Sequence, residues 1–200
     1  MSLTPVPDGQ IATVVTYMEM RERPKPAPTP LAPLRLAPWK MPAPAAYRTL
    51  FRRVGEPWLW FSRLAMSDGE LGAIIHDPAV EIYAVIDLRG VEVGLLELDF
   101  RSLPDCELAF FGLIPDLTGK GLGQWLMAQA KALAWRREVT RFWVHSCTLD
   151  SPSALAFYRK AGFVPYKREV EIFADPRLAG LLSPDAAPHA PMLKRLPGEK

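Results

Sequence analysis

The chain has 200 residues, of which 49% are apolar and 23% charged, and its 24 basic residues nearly balance its 22 acidic ones. This composition is typical of a soluble globular protein, and a net charge of +2 gives no bulk attraction for nucleic acid. Since the first ten residues resemble no signal peptide and no apolar run approaches the ~18 residues of a membrane helix, we expect a cytoplasmic protein without nucleic-acid or membrane partners.

Proline is the one residue type whose frequency is unusual: the chain has 21 prolines, about twice the usual share of ~5%. Eight prolines lie in the segment 23–44, and this density excludes a continuous helix or central strand there. By composition the segment is either an extended linker or an ordered crossing that packs against the body. Four interspersed apolar residues favour the ordered crossing, namely Leu31, Leu34, Leu36 and Trp39.

Periodicity, capping and turn signals predict the other elements in chain order. The first three are a strand over 11–20, a helix over 45–54 and a short helix that opens at a Ser-x-x-Glu capping box, 67–70. Two strands, 81–88 and 91–100, meet at Arg89-Gly90 and predict a hairpin. The remaining elements are a strand over 107–114, a helix over 121–137, a strand over 140–149, a helix over 152–161 and a strand over 163–173.

This order predicts one α/β domain over residues 1–175, with the proline-rich crossing at 23–44 inside it. Its middle contains a strand–helix–strand unit, and such crossovers are right-handed and join parallel strands. The Pro/Ala-rich residues 176–200 are expected to form a loose C-terminal tail.

The most informative stretch is 113–126, where a buried strand runs into a glycine-containing loop and then into a helix. Unpaired backbone N–H groups and the positive end of a helix bind phosphate at such a turn, and glycine lets the phosphate approach closely. The spacing fits neither the dinucleotide fingerprint nor the P-loop, because Gln124, Leu126 and Ile114 stand where those motifs need glycine.

The segment 113–123, LIPDLTGKGLG, resembles the acetyl-CoA signature of the GNAT N-acetyltransferase superfamily, V-x-P-x-x-(R/Q)-G-x-G-x-G/A. A second segment, 149–163, resembles the family's N-x-x-A-x-x-x-Y-x-x-x-G-F through Ala154, Tyr158, Gly162 and Phe163. The resemblance implies a GNAT-like α/β fold, with a central mixed, twisted sheet of about six strands and helices on both faces. It also implies that the strands near 107–114 and 140–149 splay apart to hold acetyl-CoA.

Acetyl-CoA is therefore the expected co-substrate, with its pyrophosphate on the glycine loop. The resemblance assigns cofactor contacts to Leu113, Ile114, Thr118, Gly119, Lys120, Gly121, Leu122, Gly123, Gln124 and Ser151. Thr118 stands where the family prefers Arg or Gln, and Ser151 stands where it often has Asn. The first departure shifts the expected binding towards backbone N–H groups and Lys120, and the second weakens the case for the family's hydrogen bonding to the pantetheine arm or the strand end near Ser151.

Acetyl transfer to an amine needs a base for the ammonium, donors for the oxyanion and a proton for the leaving thiolate. The resemblance implies Glu107 as the base, with Glu97, Asp150 or a water chain as alternatives. It implies Tyr158 as the acid that protonates the thiolate, and backbone N–H groups at 113–114 as the oxyanion donors.

The sequence thus predicts an acetyl-CoA-dependent N-acetyltransferase that acts by direct sequential transfer on a primary amine of a small molecule or peptide. The alternative is a non-catalytic acyl-CoA-binding sensor or interaction module of the same fold, which the departures at 118 and 151 favour. We expect a monomer or homodimer. The three histidines lack metal-ligand spacing, so no metal site is expected, and His145 is predicted to be a structural strand residue. Trp58 and Trp60 are expected in the core or in the wall of the acceptor pocket.

Overall fold

The computed structural model describes residues 3–25, 28–136 and 138–193. Every helix and strand predicted from the sequence is present in it, together with one further strand. The elements are β1 (Gln10–Met20), β2 (Leu34–Pro38), α1 (Pro44–Gly55), α2 (Asp68–Ile75), β3 (Val80–Asp87), β4 (Glu92–Asp99), β5 (Asp105–Leu113), α3 (Leu122–Ala134), β6 (Arg141–Cys147), α4 (Ala154–Lys160) and β7 (Val164–Ala174). Within the described ranges, none of the helices is long and apolar enough to cross a membrane.

The additional strand, β2, lies inside the proline-rich segment and pairs antiparallel with β3. It forms one edge of the sheet, where a strand tolerates proline because half of its backbone groups need no ladder partner. Leu34 and Leu36 pack against the core, and the Trp39 amide continues the pairing by donating to Ile82 O at 2.8 Å. The expectation of about six strands therefore becomes seven. Residues 26–27 of the segment lie outside the described residues.

All seven strands form one sheet in the order β2-β3-β4-β5-β6-β1-β7. Only the β5–β6 pair is parallel, as expected for strands joined by the crossover helix α3. The N-terminal strand β1 lies between β6 and β7 and pairs antiparallel with both. Because β1 and β2 sit in opposite halves of the sheet, the proline-rich segment has to cross the whole fold.

Helices cover both faces of the sheet, as predicted. On one face, α1 and α2 bury Tyr47, Phe51 and Leu71, and the apolar spacing of α1 accounts for the first two. The predicted capping box starts α2, since Ser67 and the Glu70 carboxylate each accept from the other's backbone amide. On the opposite face, α3 and α4 close a second core.

The parallel pairing of β5 and β6 is short. It runs only from Asp105 opposite Arg141 to Glu107 opposite Trp143, although both strands continue beyond these residues. Two residues beyond Glu107, Ala109 has no partner in the pairing of β5 with β4 and forms a β-bulge. Such a bulge bends a strand, and here it accompanies the divergence of β5 from β6. A wedge-shaped opening follows between the two strands.

The C-terminal segment is packed, so the expectation of a loose tail is wrong for residues 176–193; residues 194–200 lie outside the described chain. Arg177 and Asp175 form an ion pair whose side chains are both almost fully buried. The Arg177 guanidinium also donates to the carbonyl oxygens of Ala186 and Ala190. Burial alone would raise the pKa of Asp175, but the hydrogen bonds from Arg177 hold it below its usual range. Arg177 thus ties this segment to the body.

We predict that Arg177→Met destabilises the fold by about 3–5 kcal/mol, because it leaves the Asp175 carboxylate buried without a partner. The urea-unfolding midpoint measures this loss. Lys167→Met is the matched control, since it breaks the exposed Lys167–Glu169 pair and should cost under about 1 kcal/mol. Equal losses in the two variants would contradict a structural role for the buried pair.

Candidate functional site

A cavity of about 860 Å³ occupies the opening between β5 and β6. It joins the two strands to the glycine loop, to α4 and to the segment that follows α1. Nine of the twelve residues to which the resemblance assigns cofactor contacts or proton transfer line it, namely Glu107, Leu113, Thr118, Gly119, Gly121, Gly123, Gln124, Ser151 and Tyr158. Ile114, Lys120 and Leu122 are not among its lining residues.

The glycine loop presents free backbone donors to this cavity. Gly119 and Gly121 have positive φ values of 73° and 76°, a conformation that side chains disfavour, and a Cβ at either position would meet only open space. In the described chain, the amides of residues 119–123 donate to no other group. Gly121 is the N-cap of the 13-residue helix α3 and offers no side-chain cap, so the positive helix end is also open. This cradle fits the pyrophosphate of acetyl-CoA.

The two residues that depart from the family pattern make local hydrogen bonds. The Thr118 hydroxyl donates to Pro115 O at 2.7 Å, and the Ser151 hydroxyl lies 3.0 Å from that of Ser153. Since the Thr118 hydroxyl has already used its proton, the backbone amides and the Lys120 side chain are the donors that the loop has left for an anionic ligand.

The predicted oxyanion donor at Ile114 is already engaged. Its amide donates to Val93 O at 2.9 Å, which continues the β4–β5 pairing by one residue. The Ile114 side chain packs against the core. Donation from Ile114 to a thioester carbonyl therefore conflicts with the structure, because the strand pairing uses that proton.

Tyr158 lies on α4 with its ring in an aromatic cage formed by Phe111, Phe157 and Phe163. The residue is 9% exposed, and its hydroxyl makes no hydrogen bond within the described chain although the residue lines the cavity. Burial raises the pKa of Tyr158 far above its usual value, and the Asp150 charge adds to this effect. Tyr158 is therefore a neutral phenol with a proton to give.

Glu107 of β5 pairs with His145 of β6 across the opening, with Glu107 Oε1 3.4 Å from His145 Nδ1. The hydrogen bond from the imidazole to Glu107 raises the pKa of His145, although burial acts in the opposite sense. The prediction that His145 is merely structural missed this contact. No sequence signal locates it, because it depends on the register of two strands that a 27-residue crossover separates.

Glu97 lies on β4 and is completely buried. Its Oε2 accepts from the Tyr47 hydroxyl at 2.5 Å, and its Oε1 accepts from Arg63 Nη2 at 2.6 Å. Both carboxylate oxygens are thus occupied, and Glu97 does not line the cavity. Glu97 therefore has no access to an amine bound in the cavity. Burial and the Glu97 charge raise the pKa of Tyr47 well above its usual value, which keeps Tyr47 as the donor of this bond.

Asp150, the other alternative base, lines the cavity but is held by the chain. Its Oδ2 accepts from the Ser146 hydroxyl at 2.7 Å and from the Cys147 amide at 2.9 Å. Trp60 Nε1 lies 3.4 Å from Oδ1. These contacts give Asp150 a structural task at the end of β6.

Aromatic side chains form the wall of the cavity away from the glycine loop. The five that line it are Trp58, Trp60, Phe61, Phe110 and Phe173. Phe61 stacks on Phe173 of β7 with ring centres 4.8 Å apart, so the far strand of the sheet helps to close the wall. Arg63 lies over the Phe110 ring at 5.1 Å. This side offers an apolar surface to the carbon skeleton of an acceptor.

Across residues 3–25, 28–136 and 138–193, no group of three or more His, Cys, Asp or Glu side chains is arranged to hold a metal ion.

Solved structures of low sequence identity share this fold. A GCN5-related N-acetyltransferase from Sphaerobacter thermophilus aligns with a TM-score of 0.57 at 17% identity, over 85% of this chain and 52% of that one. A tandem GNAT protein from the clavulanic acid biosynthesis pathway aligns with a TM-score of 0.57 at 16% identity, over 84% and 53%. The SpeG spermidine N-acetyltransferase from Vibrio cholerae aligns with a TM-score of 0.52 at 19% identity, over 74% and 96%.

The chain spans only about half of the length of the first two of these proteins. No curated protein matches it. The family model of the acetyltransferase (GNAT) family matches residues 39–163, which is more than half of the chain and includes the glycine loop, Glu107 and Tyr158. The chain belongs to the GNAT acetyltransferase family.

Proposed function

We propose that this protein is an acetyl-CoA-dependent N-acetyltransferase that moves an acetyl group directly to a primary amine of a small molecule or peptide. One observation carries the proposal: the glycine loop has five consecutive free amides, 119–123, and three of these residues, Gly119, Gly121 and Gly123, line the same cavity as the Glu107 carboxylate and the buried Tyr158 phenol. The amides suit a pyrophosphate, and the other two groups suit proton transfer. Cytoplasmic location, the monomeric or homodimeric state and the absence of nucleic-acid or membrane partners remain predictions from the sequence.

The two proton-transfer roles follow from the states of the side chains. Glu107 removes a proton from the acceptor ammonium, so that the nitrogen lone pair can attack the thioester carbonyl. Tyr158 donates a hydrogen bond to the departing sulfur. Because a thiol, with an ordinary pKa of ~8.5, is a stronger acid than this buried phenol, the phenol proton moves to sulfur only as the nitrogen of the intermediate gives a proton to the phenol oxygen. The second nitrogen proton, lost as the intermediate collapses, returns Tyr158 to its phenol form.

Direct transfer is supported by the state of the cysteines. Cys147 lines the cavity, but burial and the Asp150 charge raise the pKa of its thiol. Burial also raises the pKa of Cys106, which is fully buried. Since the thiolate is the nucleophilic form, neither residue is set up to carry an acetyl group. Acetyl-CoA and the acceptor would then meet in a single ternary complex.

We predict that Gly121→Trp weakens acetyl-CoA binding by about 10–100-fold, because the side chain would occupy the space in front of the free amides and strain a residue at positive φ. Isothermal titration calorimetry measures the change. Gly90→Trp is the matched control, since Gly90 also has a positive φ of 85° and open space but lies in the β3–β4 turn. Unchanged affinity in Gly121→Trp would remove the main support for the proposal.

Tyr158→Phe should lower kcat by about 100-fold and leave the Kd for acetyl-CoA within a factor of two, because it removes a proton donor without changing the packing. Thiol release with a panel of amines measures the rate. Tyr166→Phe on the exposed strand β7 serves as the control. Tight acetyl-CoA binding by the wild type without turnover of any amine would favour the alternative, a non-catalytic acyl-CoA sensor.

A further inference from the structure

Acetylation of an amine releases a proton that must reach solvent. The reaction joins an ammonium and acetyl-CoA to give the amide, free CoA thiol and one net proton. If Glu107 takes that proton, it must lose it again before the next turnover. The following inference rests on the proposed function and concerns the path by which Glu107 is reset.

His145 lies between Glu107 and the outside of the protein. Its side chain is 46% exposed, whereas that of Glu107 is only 24% exposed, and Glu107 Oε1 and His145 Nδ1 are 3.4 Å apart. His145 lines the main cavity and also a second pocket of about 500 Å³, together with Tyr17 of β1 and Glu169 and Glu171 of β7. Val15 and Glu171 also line both cavities, but of these three shared residues His145 is the one paired with Glu107.

We propose that His145 is a proton relay, which takes the acceptor's proton from Glu107 and passes it to solvent through the second pocket. In this sequence the ammonium N–H bond breaks and an O–H bond forms on Glu107. The neutral carboxyl then gives its proton to the Nδ1 lone pair of His145, whose other nitrogen carries a proton. The imidazolium releases that Nε2 proton to water, which leaves Glu107 as a carboxylate and His145 as the Nδ1–H tautomer. Proton exchange with water, onto Nε2 and off Nδ1, then restores the Nδ1 lone pair for the next turnover.

The surroundings of His145 fit a transient cation. Carboxylates approach it from three elements, namely Glu107 on β5, Asp150 after β6 and Glu171 on β7. Its ring packs against those of Tyr17 and Trp143, with centroids 5.8 and 6.1 Å away. Lys167, a cation of β7, lies over the Tyr17 ring and is paired with Glu169. The Tyr17 hydroxyl stays neutral, since burial and Glu169 raise its pKa to about 12.

These charges set the direction of the pH dependence. Because Glu107 raises the pKa of His145, the imidazole remains protonated to a higher pH than usual, and a protonated imidazole accepts no proton. The relay is therefore blocked at low pH and becomes available as the pH rises through the pKa of His145. We expect kcat to rise with pH through one ionisation above the ordinary imidazole value of ~6.5.

Chemical rescue in the full-length protein tests the relay. His145→Ala should lower kcat by about 10–100-fold in dilute buffer, with the KM for acetyl-CoA and the acetyl-CoA affinity unchanged. Free imidazole should restore much of the rate in a concentration-dependent way, because it can enter the second pocket and accept the proton. The ionisation above pH 6.5 should disappear from the pH profile of the variant. His76→Ala is the control, because the His76 imidazole is hydrogen-bonded to Pro42 O on the face of the sheet that α2 covers. This variant should keep the wild-type rate and show no response to added imidazole.

The outcomes separate the inference from the function on which it rests. A wild-type rate in His145→Ala, or a lost rate that imidazole does not restore although acetyl-CoA still binds, overturns the relay and leaves the acetyltransferase standing. Retention of the same ionisation in the variant's pH profile also overturns it. Absence of turnover by the wild type with any amine overturns the proposed function, and the relay with it.

Discussion

The early separation of β5 from β6 is the constraint on which the site depends. Parallel strands joined by a helix normally pair along their length, yet this pair holds through only three positions before the bulge at Ala109. The gap leaves the later residues of both strands facing a cavity. The glycine loop, in the first part of the crossover, lines the same cavity. The glycine loop, Glu107 and Tyr158 therefore face one cavity although they come from three different parts of the chain.

A buried polar network holds the other wall of the cavity in place. Glu97 binds Tyr47 of α1 and Arg63 of the segment after α1, residues that lie 50 and 34 positions away along the chain. Buried charges are costly, and such a group is tolerated only when the bonds that satisfy it are nearly all made. Here they pin the Trp58–Arg63 segment against β4 and β5, so that its aromatic side chains form an apolar wall of the cavity.

Most of the fold could be predicted, because its helices and strands have clear periodicity, a capping box and a hairpin turn. β2 escaped prediction because prolines obscure strand signals, and an edge position in the sheet is what makes them acceptable. The segment 176–193 appeared loose because its alanines and prolines carry no periodic signal. Its order comes from Arg177, whose partners Ala186 and Ala190 are brought together only in the folded chain.

The sequence by itself determined the family, the glycine loop and the two candidate proton-transfer residues, because each rests on residues close together in the chain. The tertiary structure alone decided which of the two candidate strand glutamates faces the cavity. Glu97 and Glu107 are both strand glutamates, but one lies buried against Tyr47 and Arg63 and the other lies open to the cavity beside His145. That difference arises from strand register and helix packing over long chain separations, which local residue patterns do not encode.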